Sequence, residues 1–371
     1  MRVPARRVLV LGGYGTFGRQ ACAQLVRRGI DVVVAGRSLE HAQQCAAALR
    51  PLAGGSATPL QMDGGGIEPG DIAAIGAAVV INASGPFQLQ DYGIARASIA
   101  AGAHYVDLAD ARTFVVGIGA LDVQARRAGV LVAAGASTVP ALSSAVIDAY
   151  APQFGALAAA RIVIAPSNSF DPGLATARSI LGMLGKPFPA PQGAATRTLY
   201  GWQGLRRWRL PGLGARWLGL CEVPDLDVLP PRYPGRPSVR VYAALEIGLL
   251  HLGLWGLSWL VRAGLLRRPE RLAAPLLALK RGCRWLGSDV SGMGVYLEGT
   301  DREGGPKRLL WRLVARRGCG PVVPAMPSVL LARRLLAGTL DARGAGPCVG
   351  LLTLPDFLEE FAGFDITAGI P

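Results

Sequence analysis

The chain has 371 residues, of which 51% are hydrophobic and 17% charged, and a net charge of +14 from 39 basic and 25 acidic residues. That length leaves interior for two cored domains. The charge is carried by arginine, with only Lys186, Lys280 and Lys307 as lysine, and no zinc spacing, RNA-binding aromatic signature or basic tail accompanies it, which argues against a nucleic-acid partner.

The charge is uneven. Residues 1–150 hold 12 basic and 10 acidic residues, whereas residues 151–371 hold 27 and 15, so the later part favours an anionic ligand or a membrane surface. Six cysteines are scattered without a C-x-x-C pair, and the first strand pattern begins within a few residues of the start. Both features predict a reducing, cytoplasmic setting. His41, His104 and His251 lie too far apart in sequence to suggest a metal centre.

The apolar run Val8-Leu9-Val10-Leu11 breaks into Gly12, Gly13, Tyr14, Gly15, Thr16, Phe17 and Gly18, and a helical pattern follows over 17–28. Gly13, Gly15 and Gly18 have G-x-G-x-x-G spacing between a strand and a helix, the context in which the motif cradles a dinucleotide diphosphate. The phosphates would face the positive end of the helix. A second apolar strand, 31–35, ends at Gly36-Arg37-Ser38, about 20 residues beyond the loop, where such folds read the adenosine ribose. A carboxylate there would accept from both ribose hydroxyls. Arg37 instead offers a guanidinium fork for a 2′-phosphate, with Ser38 as a hydroxyl donor. The competing reading is a surface arginine before the helix 39–49. The position favours the phosphate, and hence NADP(H).

Strand patterns at 58–62, 78–82, 104–107 and 129–133 alternate with helical patterns at 90–101 and 113–127. This rhythm predicts an α/β, Rossmann-like, doubly wound parallel sheet. Asp63 either lines the adenine or caps its own glycine-rich turn. Asn82, Ser84, Gly85 and Pro86 follow the fourth strand, and their small side chains leave room for the nicotinamide ribose and diphosphate. Tyr105 and Asp107 end the fifth strand on the same edge, and Ser137 and Thr138 follow the sixth. Tyr105, Asp107 and Thr138 are the catalytic candidates, as groups that could move or orient a proton beside a hydride acceptor. The alternative places Tyr105 under the cofactor as packing and makes Asp107 a cap. Alternation along the strand turns His104 to the opposite side.

Asn82-Ala83-Ser84-Gly85-Pro86-Phe87, with Ala101-Gly102-Ala103-His104-Tyr105-Val106-Asp107, resembles the saccharopine dehydrogenase-like family. The likeness is specific over residues 7–145 and slight between about 185 and 285. It implies an NADP-binding Rossmann domain over 1–138, a second α+β substrate and dimerisation domain over 139–344, and a final segment, about 345–371, that returns to the first. It also implies an NADP(H)-dependent oxidoreductase, a homodimer, acting on a carbonyl, imine or activated double bond of a small or lipid-like substrate. Ser137 stands where relatives often carry Asp, which keeps open a nucleotide-sensing protein that turns nothing over.

The expected second domain contains a connecting helix over 141–150, a strand over 160–165, a helix over 173–184, loops over 186–237, a hairpin joining 294–299 to 308–317, and a helix over 329–336 stopped by Gly338. Residues 247–266 form a long apolar stretch whose strongly polar members are His251, Ser258 and Arg262. On a helix these three lie within about 20° of one line. A buried helix, a membrane-contacting or lipid-lining helix, and a true span compete. Gly248, Gly253, Gly256 and Gly264 favour internal packing over peripheral attachment to a membrane.

Overall fold

A computed structural model describes residues 7–52, 54–192 and 195–371. Residues 1–6 and 53 of the expected nucleotide domain, and 193–194 of the expected loop segment, lie outside the described residues. The chain forms two compact units. The first runs to Ala141 and resumes over Pro321–Leu352; the second comprises Leu142–Gly320 and Thr353–Pro371.

In the first unit β1 (Arg7–Leu11), β2 (Val32–Gly36), β3 (Ala57–Gln61), β4 (Ala77–Asn82), β5 (His104–Asp107) and β6 (Leu131–Ala134) form one sheet with a later strand, Gly344–Pro347. The order is Gly344–Pro347, β6, β5, β4, β1, β2, β3, and every pairing is parallel. Strand order therefore reverses at β1, the point where such sheets open a crevice for ligand. β1, β2 and β4 are apolar because helices cover both faces of a parallel sheet. α1 (Thr16–Arg27) and α2 (Leu39–Leu49) follow the first two strands, and Val322–Ala337 packs on α1, β4 and β5.

Two helical patterns end differently from the sequence expectation. The helix read over 90–101 is Gly93–Ala100, and the one read over 113–127 is two, Arg112–Gly117 and Asp122–Arg127. The two are joined through a 3-10 turn, Ile118–Leu121, that contains Gly119. A short helix, Pro69–Ile75, carries a reciprocal cap between Glu68 and Asp71 that the sequence reading did not register.

The second unit is a seven-stranded mixed sheet ordered Arg206–Leu210, Gly214–Leu220, Ser238–Ala243, Ala156–Ala165, Ser291–Thr300, Pro306–Ala315, Ile366–Gly369. The expected hairpin is Ser291–Thr300 paired antiparallel with Pro306–Ala315. The expected loops over 186–237 are a correction, since four strands lie there: Pro187–Gln192, Ala195–Tyr200, Arg206–Leu210 and Gly214–Leu220. Pro187, Pro189 and Pro191 occupy alternate positions of a two-stranded ribbon, opposite Tyr200, Thr198 and Thr196. Alternate residues turn their backbone nitrogen away from the partner, so proline costs no ladder bond there.

The return to the first unit begins at Pro321, well before residue 345, and ends at Leu352. Residues 353–371 lie in the second unit because Ile366–Gly369 extends that sheet beside Pro306–Ala315. No helix among the described residues is long and apolar enough to cross a membrane.

Candidate dinucleotide site

The register of the first sheet aligns Leu11 with Asn82 and Asn82 with Asp107. The glycine loop, residues 82–86 and the end of β5 therefore share one edge of the sheet. Gly12 turns the chain out of β1 at φ +70°, and a Cβ there would lie 2.9 Å from the Ala83 backbone. The tight turn thus falls on Gly12 rather than on Gly13, the first member of the spaced triad. Gly13 lies against Val10 and Val34, and a Cβ on Gly18 would strike the Gly12 carbonyl.

Gly15 differs from these. Its backbone is ordinary extended chain, at φ −68° and ψ 171°, and an added Cβ would meet only the Gly12 oxygen at 3.1 Å. The space beside Gly15 is open, and it sits at the N-cap of a 12-residue helix with no acid in its first turn. An open cradle at a positive helix end suits a diphosphate.

Tyr14 reaches across to the end of β2. Its hydroxyl accepts from the Ser38 N–H at 3.1 Å, and its ring occupies the space that a side chain on Gly36 would fill. The Ser38 Oγ accepts from His41 N–H at 3.2 Å and caps α2. These contacts hold the turn that presents Arg37. The Arg37 side chain is exposed, and among the described residues its guanidinium makes no hydrogen bond or ion pair. Gln61 fixes the Arg37 carbonyl through its side-chain amide at 3.1 Å. Gly36 and Gln61 are positioning residues that the spacing rules did not single out.

Asp63 caps its own turn, accepting from Gly65 N–H at 3.3 Å. That is the second of the two readings left open for it.

Asn82 is the hub of the opposite wall. Its Oδ1 accepts from Ser84 N–H at 3.0 Å and Ser84 Oγ at 2.5 Å, while its amide donates to Gln90 Oε1 at 3.0 Å and the Tyr105 hydroxyl at 3.2 Å. Gln90, absent from the sequence reading, also donates to the Ser84 carbonyl. The Gly85–Pro86 peptide is cis. The network fixes a small-residue turn beside the glycine loop.

Of the catalytic candidates, Tyr105 is 1% exposed, Asp107 0% and Thr138 8%. Asp107 Oδ1 accepts from Ala109 N–H at 2.9 Å and Gly135 N–H at 2.8 Å, so it ties the ends of β5 and β6 together. Its Oδ2 is buried without a hydrogen-bond partner among the described residues. Burial pushes this carboxyl up to about 7, against the lowering effect of the two N–H donors. Burial, reinforced by Asp107, also raises the Tyr105 hydroxyl well above its ordinary value. His104 Nδ1 accepts from Leu131 N–H at 2.9 Å, and burial lowers its imidazole to about 4, making it a neutral structural acceptor.

A pH dependence follows from burial. In the second unit the Asp225 carboxyl is also pushed to about 7 by burial, and Ser143 Oγ donates to it at 2.5 Å. Both carboxyls titrate above the unfolded value of about 3.9, so the folded chain holds extra protons on them between about pH 4 and pH 7. His104 and His251, which burial lowers to about 4, bind more protons unfolded than folded below about pH 6.5 and offset the carboxyls there. The carboxyl contribution therefore emerges as a fall in stability above about pH 6.5. We expect the melting temperature to drop by roughly 2 °C between pH 6.5 and pH 8. Asp107→Asn, which keeps an acceptor for the two N–H groups, should reduce that slope; an unchanged slope in the variant would remove Asp107 from the account.

The parallel sheet, the glycine turn after β1 and the exposed arginine after β2 have the arrangement of a nucleotide-binding α/β domain. Residues 8–149 match the family model described as "Saccharopine dehydrogenase NADP binding domain". The chain thus carries a saccharopine dehydrogenase-like NADP-binding domain over that segment, with NADP(H) as its cofactor.

No curated protein matches the chain. Among solved structures, menthone neomenthol reductase from Mentha piperita is 24% identical over 23% of this chain and 33% of its own, with a TM-score of 0.20. A short-chain type dehydrogenase/reductase from Mycobacterium marinum is 14% identical over 35% of this chain and 72% of its own, TM-score 0.29. The bulky-bulky ketone specific alcohol dehydrogenase from Comamonas testosteroni is 16% identical over 36% and 72%, TM-score 0.29. This chain spans about a third of the first structure's length.

Proposed function

We propose that the protein is an NADP(H)-dependent oxidoreductase that moves a hydride to or from a carbonyl, imine or activated double bond of a small or lipid-like substrate. The observation that carries this reading is the open cradle at Gly15 in line with the unpaired Arg37, within a domain of the NADP-binding type. When bound, the cofactor supplies hydride chemistry at its nicotinamide.

The chain's own residues bind and orient. Gly12, Gly13, Gly15 and Gly18 let the backbone of residues 12–18 approach the diphosphate, with Thr16 and Phe17 opening the helix that faces it. Arg37 holds a 2′-phosphate, and Ser38 and Tyr14 set its turn. Asn82, Ser84, Gly85 and Pro86 shape the wall for the nicotinamide ribose. Tyr105 and Asp107 lie under that wall. Burial raises the Asp107 carboxyl, which suits a group able to hold a proton.

The full burial of Tyr105 and Asp107 favours one second reading, a protein that senses NADP(H) without turnover. Fluorescence titration with NADPH and NADH tests the shared part: NADPH should bind more tightly, and failure to bind either nucleotide sinks both readings. Absorbance at the reduced nicotinamide band, followed with panels of ketones, imines and enoyl thioesters, separates them. Consumption of NADPH with any class supports the oxidoreductase.

A further inference from the structure

In the second unit the helix Gly248–Arg262 turns His251 and Ser258 of its polar stripe inward and leaves Arg262, at its end, exposed. His251 and Ser258 are fully buried. The His251 ring lies 5.1 Å from that of Trp202, and Ser258 Oγ donates to the Trp255 carbonyl at 2.6 Å. Arg262, at the end of the stripe, donates to Gln203 Oε1 at 2.8 Å, and its guanidinium lies 3.8 Å from the centre of the Tyr200 ring. The inward placement of His251 and Ser258 agrees with internal packing on that side.

The opposite line of the helix faces outward, and it is wholly apolar. At 100° per residue, Leu249, Gly253, Gly256 and Leu260 fall on it, and no charged residue occurs between 247 and 261. Leu249 is 80% exposed, and Leu265, just past the helix, is 77% exposed. Trp285, further along the same segment, is 80% exposed. A helix on a globular domain ordinarily turns its apolar side to the core, and an exposed one marks a contact surface.

Charge identifies the partner. Residues 247–286 carry seven basic residues and one acid, Glu270. Arg267, Arg268, Arg271 and Arg284 are exposed, and among the described residues none of them forms an ion pair. Two-fold pairing with a second copy would set the same patch against itself and bring these positive rims together. A helix of 15 residues is about 22 Å long, short of the roughly 30 Å needed to cross a bilayer.

We propose that this face docks in the plane of an anionic phospholipid surface. Leu249, Leu260 and Leu265 enter the boundary between head groups and acyl chains, and Arg267 and Arg268 pair with lipid phosphates. Trp285 has the amphipathic ring suited to the same depth. The inference concerns the second unit alone and does not depend on the cofactor reading.

Flotation of the full chain with phosphatidylcholine vesicles, and with vesicles containing phosphatidylglycerol at about one third of the lipid, tests it. The expected result is flotation with the anionic vesicles, weaker flotation without them, and loss at high salt. L249E/L260E should lower partitioning about tenfold or more with an unchanged melting curve, since both side chains are exposed. R267E/R268E should remove the preference for anionic lipid. Wild-type protein that stays at the bottom with both vesicle types overturns the proposal. So does sedimentation showing a dimer that L249E/L260E converts to monomer, which would assign the face to a second copy.

Discussion

Gly15→Val should abolish NADPH binding while leaving the chain folded, with affinity falling at least about 100-fold, or roughly 3 kcal/mol. The Gly15 backbone is in a region open to any residue, and the added Cβ meets a single atom, the Gly12 carbonyl oxygen at 3.1 Å. That oxygen must shift by a few tenths of an ångström, so the fold should survive with a modest loss of stability. The branched carbons instead occupy the space where the backbone would approach the diphosphate. Gly13 and Gly18 respond differently. A side chain on Gly13 runs into the Val10 carbonyl, and one on Gly18 into the Gly12 carbonyl, so those variants should lose the native loop as well as the ligand. Fluorescence titration paired with circular dichroism distinguishes the cases. A folded Gly15→Val protein that binds NADPH normally would show that the cradle serves another purpose.

Replacing Arg37 by alanine should weaken NADPH by roughly 10- to 100-fold, the worth of about 1.5–3 kcal/mol for charge-assisted hydrogen bonds to a phosphate. NADH affinity should hardly change, because the 2′-phosphate is the group that the guanidinium would meet. The side chain is exposed and unpaired, so its removal strands no buried partner and the melting curve should not move. Tyr14→Phe gives a graded control: it deletes the acceptor for Ser38 N–H and should loosen the turn with a smaller loss. Equal losses for NADPH and NADH in Arg37→Ala would mean that Arg37 does not read the phosphate.

The proposed membrane docking and the proposed cofactor site involve residues of different units, so each can fail without the other. Leu249 and Leu260 are far from the glycine loop in sequence and belong to the other unit. Their glutamate variants should bind NADPH like the wild type, which makes nucleotide affinity a check that the double variant is intact.

Local sequence determined the first unit because its signals are local. β1, β2 and β4 are near-continuous apolar runs, as strands covered on both faces must be, and glycines mark the turn where strand gives way to helix. Arg37 could be nominated as a phosphate reader from its distance along the chain, since the fold sets that distance. Other features needed partners remote in sequence. Tyr14 acquires its role from Gly36 and Ser38, and Gln90 from Asn82 and Ser84. Asp107 became a tie between two strand ends, titrating near neutrality, through burial that no spacing rule reports. The strands over 187–220 were hidden because proline and glycine interrupt the alternation, and the ribbon's unpaired edge tolerates them. Periodicity predicted that His251, Ser258 and Arg262 share one side of a helix. Only tertiary packing decided that this polar side faces protein and the leucine side faces out, because a helix with two distinct faces can be docked by either one.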